Sequence, residues 1–405
     1  MPVLRNIGQL ATCREEGPQS EIHLLSNAAV AWRGSLIEWV GRDDHLPIEW
    51  MSENQLNADG RLVVPGLVDC HTHLAFGGWR ADEFEARLKG ETYLEIAKRG
   101  GGIMRTVAQT RGSSMETLVS KSEAFLSEMR KLGVTTVEAK SGYGLSVTEE
   151  IKQLGVYRSL TRRQPTRIVS TFLAHTVPPE YSESRTDYIH MLTDALIPTI
   201  AGEKLATFCD VFVEHGAFTL EEGREILSAG LKAGLIPKIH ADQFHDSGGA
   251  TLAARLRAAS ADHLECISSD GIAALAAAGT VAVSLPIAAL YLGQEPLPAR
   301  DLIDAGAPVA VATDFNPGSA PCYHLPLAMT LACVRQNMTP AEALKGATII
   351  AARALHLDKI VGSVEVGKSA DLAIVDAPSP AHWLYHLRAN GVVATIARGA
   401  VVSGL

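Results

Sequence analysis

Aromatic residues are scarce in this chain of 405, at 5%. A core so composed must be filled by Ala, Val, Leu and Ile, as in buried parallel sheets flanked by helices. The six cysteines, Cys13, Cys70, Cys209, Cys266, Cys322 and Cys333, contain no CxxC pair. Neither a redox motif nor a disulfide framework is expected. The opening MPVLRNIGQLATCREE lacks the basic-then-apolar pattern of a secretory signal. Reduced thiols and a cytoplasmic home follow as expectations. Positive charge is in deficit: 36 Lys and Arg against 45 Asp and Glu leave a net −9. That argues against nucleic acid or an anionic membrane as partner and leaves a small-molecule substrate. No GxGxxG follows a strand-like run, which weakens a dinucleotide-binding fold. Gly271 to Gln294 carries no charge, but Gly279, Ser284, Pro286 and Gly293 interrupt it. It reads as a helix end, a turn at Gly279 and a buried strand Thr280–Leu285, not as a membrane span.

The middle of the chain alternates strand and helix. Apolar runs occur at Leu67–Leu74, Val134–Ser141, Arg167–His175, Asp210–His215, Pro237–Asp242, Ala259–Glu265, Thr280–Leu285 and Pro308–Phe315. Between them lie helix-length segments such as Ser113–Gly133 and Thr219–Gly234; the latter pairs a Thr cap with a Glu three residues on. Eight alternations in roughly 290 residues fit a (β/α)8 TIM-type barrel better than an open doubly wound sheet. Both ends are β-rich. Asn27–Val40 reads as a hairpin about Arg33-Gly34, and Ser363–Asp376 and Val392–Val402 as short strands. The expected division is a barrel over 63–358 and a small β-sandwich-like domain made of 1–62 with 359–405.

Nearly every candidate strand ends in a group able to do chemistry: His71 and His73, Glu138 with Lys140, His175, Glu214 with His215, His240 with Asp242, His263 with Glu265, and Asp314. In a barrel those ends converge on one site. His71 and His73 are two apart on a strand, so both imidazoles point the same way and can reach one cation. Alone, His240 reads as a hydrogen-bonded core residue and Asp314 as a turn former. Together with the HxH they fall at the ends of strands one, five and eight. Three imidazoles and a carboxylate suit a divalent cation with an open position for water.

The run Val64–Arg80 (VPGLVDCHTHLAFGGWR) resembles the opening of the amidohydrolase superfamily barrel. More narrowly, the chain is similar to the imidazolonepropionase family along nearly its whole length. Lys89–Arg105 (KGETYLEIAKRGGGIMR), Glu138–Leu145 (EAKSGYGL), Leu173–Pro178 (LAHTVP), His240–Gly249 (HADQFHDSGG), Ala261–Glu265 (ADHLE) and Ala312–Ser319 (ATDFNPGS) carry the likeness. The resemblance implies one zinc or iron ion (Zn2+ or Fe3+) held by His71, His73, His240 and Asp314. It implies hydrolysis of 4-imidazolone-5-propanoate to N-formimidoyl-L-glutamate in histidine degradation, and a homodimer. Relatives with two metals carry a carboxylated Lys at the end of strand four. Here that strand ends Val213-Glu214-His215, so a mononuclear site is expected.

Roles follow from the chemistry. Asp314 is the candidate to accept the proton of the attacking water, and His263 to polarise the carbonyl or shuttle a proton. Read alone, His263 is a structural residue bonded to Asp262 or Glu265. His175 is placed at the developing oxyanion or a ring group. Relatives that deaminate cytosine-like rings carry Glu after His-Ala-Asp. Gln243 cannot move that proton but can bond a ring amide, so it is assigned to substrate binding. Arg80 would clamp the propionate with a bidentate fork; without the family likeness it reads as a surface arginine. Tyr143 offers a phenol to the same ligand, and Asn316, Gly318 and Ser319 offer polar groups to substrate or product. Gly100–Gly102 is either a moving mouth loop or a plain connector. Two other functions compete: an aminohydrolase of a nucleobase-like ring, against which Gln243 and Arg80 count, and a non-catalytic assembly protein, against which the complete ligand set counts.

Overall fold

The computed structural model describes residues 2–91, 95 and 100–404. Of the Lys89–Arg105 run, 92–94 and 96–99 lie outside the described residues. The chain opens with β1 (Pro2–Ala11), β2 (Leu24–Arg33), β3 (Leu36–Arg42), β4 (Asn54–Asn57) and β5 (Leu62–Pro65). β2 and β3 form the expected antiparallel hairpin, turning at Gly34 with φ +59°.

Eight parallel strands follow: β6 (Leu67–Asp69), β7 (Val134–Lys140), β8 (Arg167–Ala174), β9 (Phe208–Val213), β10 (Ile236–Ala241), β11 (Ser260–His263), β12 (Val281–Ser284) and β13 (Val309–Val311). They lie in chain order, each beside the next. β7 is buried along its whole length, as a strand covered on both faces by barrel core and helices must be. The helices have clear starts. Thr219 caps Leu220–Lys232 in a reciprocal capping box with Glu222, and Ser114 caps Met115–Lys131. Gly279 closes the helix Ser269–Ala278 in the left-handed conformation, and β12 follows directly. Among the described residues no helix is long and apolar enough to cross a membrane.

The ladder of β6 stops at Asp69, short of the apolar run from Leu67 to Leu74. Beyond it, the chain closes the barrel against the continuation of β13. Thr72 and Phe315 form a parallel bridge. His73 N donates to Phe315 O at 2.9 Å, and Asp314 N to His71 O at 3.0 Å. Below them the Asp69 carboxylate accepts Thr313 N at 3.1 Å and the Thr313 hydroxyl at 2.6 Å. Three candidate metal ligands are thus stitched together by backbone at the seam.

The chain returns through β14 (Leu372–Val375), β15 (Val392–Ala397) and β16 (Ala400–Gly404). β14 pairs antiparallel with β5. Both termini thereby build one eight-stranded sheet, separate from the barrel sheet. The β2–β3 hairpin lies against the β15–β16 turn: Trp32 Nε1 donates to Gly399 O at 2.9 Å, and Leu4, Val30, Trp32, Leu372 and Ile396 share one core.

Candidate metal centre and active site

The strand ends deliver their side chains to one place. His71, His73 and His240 bring ring nitrogens within 4.8 Å of one another, and so do His71, His263 and Asp314 with their ligand atoms. All five are buried. Asp314 Oδ1 lies 3.3 Å from His73 Nε2 and 3.4 Å from His71 Nε2. His263 has its ring centre 5.4 Å from that of His240 and 5.7 Å from that of His71. Asp242, His263 and Asp314 have φ of +51°, +80° and +56°. Such left-handed residues are strained in non-glycine chains and concentrate at functional sites. Here each lies at or just past the end of its strand.

Two imidazoles have a carboxylate behind them, His71 in a hydrogen bond and His240 in a close charge contact. His71 Nδ1 lies 2.6 Å from Asp262 Oδ2, and His240 Nδ1 lies 3.1 Å from Asp210 Oδ2. A carboxylate at Nδ1 leaves the Nε2 lone pair for a cation. The Nε2 atoms of His71 and His240 are buried without a hydrogen-bond partner, and so is His240 Nδ1, whose 3.1 Å contact with Asp210 lacks hydrogen-bond alignment. An orphaned buried nitrogen is costly unless something fills the place. Burial pushes the His240 imidazole down to about 3 against the pull of Asp210, and lowers His73 as well. Burial and Lys140 pull His71 down, but Asp262 and Asp314 outweigh them and lift it to about 9. Burial alone would raise Asp314. The imidazoles of His71 and His73 reverse this and hold its carboxyl well below the usual range. The donor set fits a borderline divalent ion.

Around this centre stand the other expected residues. His175, just after β8, stacks on His73 with ring centres 5.5 Å apart. Burial holds its imidazole well below its ordinary value, with His73 and His240 adding to the effect. Tyr143 lies 5.8 Å from the His73 ring and 5.5 Å from that of His175. Gln243 is buried on the turn after β10. Arg80 lies against Gly318 across the mouth: a β-carbon on Gly318 would fall within 1.9 Å of Arg80 Nη2. Asn316 is largely spent on its own loop. Its Oδ1 accepts Gly318 N at 2.7 Å and Ser319 N at 2.8 Å, and its amide donates to Asp314 O at 2.7 Å. Gly102 N donates to Glu83 Oε1 at 2.9 Å, which ties the glycine run to the helix that starts after Arg80. His263 Nδ1 lies 3.6 Å from Glu265 Oε2, whereas Asp262 is committed to His71.

The amidohydrolase family model matches residues 62–402. The chain is 44% identical over 411 residues to an imidazolonepropionase of Brevibacillus brevis, covering 98% of this chain and 97% of that one. It is 46% identical over 388 residues to an imidazolonepropionase of Geobacillus kaustophilus, covering 95% and 92%. The chain belongs to the imidazolonepropionase family of amidohydrolases. Among solved structures it is similar to a zinc-bound adenosine deaminase from Xanthomonas campestris, with TM-score 0.74, 18% identity, and coverage of 100% of this chain and 93% of that one. A zinc complex of atrazine chlorohydrolase from Arthrobacter aurescens gives TM-score 0.76 at 18% identity, covering 100% and 95%. At that identity the likeness is one of fold.

This imidazolonepropionase-family barrel also contains supports that sequence reasoning missed. Glu150 Oε1 accepts Gly144 N and Leu145 N, each at 2.7 Å, and its Oε2 accepts Gly142 N at 3.0 Å. Gln153 Oε1 accepts Tyr143 N at 3.1 Å while its amide donates to Ala75 O at 2.8 Å. One helix, Val147–Arg163, thus holds the loop that presents Tyr143. Asp210 and Asp262 were missed as the partners of His240 and His71. For Asp210 the signal is a lone carboxylate inside the apolar strand Phe208–Val213; Asp262 stands directly before His263, which masks it.

Proposed function

We propose that this site opens the cyclic amide of 4-imidazolone-5-propanoate to give N-formimidoyl-L-glutamate, as a step of histidine degradation. The observation that carries the reading is the buried group of His71, His73, His240 and Asp314, in a chain of this family. These four would hold one ion, zinc or iron. When bound, the ion supplies acidity to a water, lowering its pKa from 15.7 toward about 7, and polarises the amide carbonyl.

The chain's own residues do the rest. Asp314, anionic beside His71 and His73, accepts the water's proton at a carboxylate oxygen. His263 passes a proton to the leaving ring nitrogen. His175, kept neutral by burial, bonds the developing oxyanion or a ring group. Gln243 matches donor and acceptor to the ring amide, and Tyr143 offers its hydroxyl beside it. Arg80 receives the propionate in its fork, in the space that Gly318 leaves open. Asn316 and Ser319 shape the loop that faces the same end. The same reading treats 63–358 as the catalytic unit and 1–62 with 359–405 as a composite β domain; the two separate sheets support such a division, with β5 carrying the terminal sheet on to Pro65. It places the enzyme in the cytoplasm as a homodimer. The six free cysteines support that compartment. The test is direct: purified protein is given 4-imidazolone-5-propanoate and the product assayed as formimidoylglutamate, with cytosine as control. Release of ammonia from cytosine, without ring opening of the imidazolone, would replace this reading with the deaminase one.

A further inference from the structure

Beneath the imidazoles the barrel interior holds a linked cluster of five charged side chains with no exposure to solvent: Glu138 and Lys140 on β7, Asp210 on β9, Lys238 on β10 and Asp262 on β11. A buried ion pair is weak evidence for stability, because desolvation offsets much of the attraction. A cluster of five therefore calls for another explanation.

The contacts divide unevenly. Lys238 Nζ reaches Glu138 Oε2 at 2.8 Å and Cys70 O at 3.4 Å. Lys140 Nζ lies 2.6 Å from Asp210 Oδ2, 3.2 Å from Asp262 Oδ2 and 3.2 Å from Glu138 Oε1. An ammonium has three N–H donors and no acceptor; here three carboxylates stand around it. The two aspartate oxygens are the very atoms that face the ligand imidazoles: Asp262 Oδ2 faces His71 Nδ1 at 2.6 Å, and Asp210 Oδ2 faces His240 Nδ1 at 3.1 Å. Asp210, His240 and Asp262 have the spacing of a cation site, and the Lys140 ammonium lies against both of its carboxylates.

We infer that Lys140 is a positioning residue of the metal centre. It fixes at once the two carboxylates that set the ring orientation and tautomer of His71 and His240. Without it, Asp210 and Asp262 are like charges held close in a low-dielectric interior, where they repel strongly. Either carboxylate relieves the repulsion by rotating away from its imidazole or by losing its charge, and in both cases it ceases to be a fixed anionic partner. Both rings then lose the partner that keeps the proton on Nδ1 and the lone pair on Nε2. Asp210 comes from β9 and Asp262 from β11, the two neighbours of the strand that carries His240. One cation thereby locks three adjacent strands in the order the ligands need. Lys238, which contacts neither aspartate within bonding distance, serves Glu138.

This rests on the metal reading above, and its test uses zinc binding alone. Zinc affinity is measured by chelator competition, and Co(II) absorption reports ligand geometry. The proteins are the wild type, Lys140→Met, Lys140→Arg, and the double variant Lys140→Met with Glu138→Gln. The double variant removes one charge of each sign without touching either aspartate, so a role limited to charge balance is restored in it. Expected are a metal-free melting temperature near wild type for the double variant, zinc affinity about 10- to 100-fold weaker, and an altered Co(II) spectrum. Lys140→Arg, which keeps the donors, should recover part of the affinity. Wild-type zinc affinity in the double variant would overturn the inference, and so would a double variant that does not fold, since Lys140 would then serve stability alone. A wild-type chain without tight zinc would instead defeat the metal reading itself.

Discussion

Gly318 and the Arg80 guanidinium occupy one space: a β-carbon at 318 would lie 1.9 Å from Arg80 Nη2 and 2.5 Å from its central carbon. Residue 318 must therefore stay bare for Arg80 to reach across the mouth. If the fork receives the propionate, Arg80→Ala removes a charge-assisted hydrogen-bond pair. It should raise KM about 10- to 100-fold with a smaller change in kcat. Gly318→Ala should act in the same direction by displacing the guanidinium. Steady-state kinetics on both variants checks this, and an unchanged KM in Arg80→Ala would return that residue to the surface.

Metal content follows from the ligand set. The wild type should hold about one ion per chain by elemental analysis, and His240→Ala should lose most of it, since one of four ligands goes. Removing the orienting carboxylate is milder. Asp262→Asn keeps an acceptor at His71 Nδ1 but loses the charge, and should weaken zinc about 10- to 100-fold. Dialysis against a chelator should abolish turnover, and one equivalent of zinc or iron should restore it. Two tightly held equivalents would contradict a mononuclear site.

The barrel was legible in the sequence because its strands are short apolar runs set between capped helices. The Thr219–Glu222 box marks one helix start in plain residues. The candidate ligands stand out in the sequence because each is a His or Asp that breaks an apolar run, as at His240 and Asp314, and the fold brings them together. The carboxylates behind them were not. Asp262 lies 191 residues from His71 in sequence, and what joins them is the closure and register of the barrel: His240 aligns with Asp262 while the far edge returns to β6. Glu150 was hidden differently. It is one of two adjacent Glu at the start of a helix, and only the fold shows that the backbone of Gly142–Leu145 turns back onto it. Asn316 looked like a ligand-binding amide, yet its side chain closes its own turn.

If Asp314 serves as both ligand and proton acceptor, as proposed, Asp314→Asn tests the two duties at once. The amide keeps the shape but cannot take a proton. Turnover should fall about 100- to 10,000-fold, the range of a lost general base. Measuring metal content alongside kcat divides the effect: a variant that retains its ion but not its turnover has lost the base. Near-normal kcat would remove Asp314 from proton transfer.

Glu150→Gln tests the support of Tyr143. Burial raises the Glu150 carboxyl, while the backbone N–H groups around it favour the anion. A glutamine oxygen can still serve Gly144 and Leu145, but its NH2 then faces the Gly142 N–H, donor against donor. One unmatched buried donor costs about 1–3 kcal/mol. The loop should shift and KM rise, with metal content unchanged. Circular dichroism melting and kinetics on the same preparation check both halves.

Alkaline pH should weaken this fold through its buried thiols. Burial pushes Cys13 up to about 12 from an ordinary 9, and moves Cys209 in the same direction. Above pH 9 the unfolded chain sheds these protons while the folded chain keeps them. The folded state then binds more protons, so stability falls as pH rises from about 9 toward 12. Each such thiol contributes about 1 kcal/mol of that loss by pH 10. Cys13→Ala should remove one share: its urea-unfolding free energy should drop less than the wild type's between pH 8 and pH 10, whatever its cavity costs at pH 8. An identical drop in both proteins would show that the Cys13 thiol ionises as readily inside the fold as outside it.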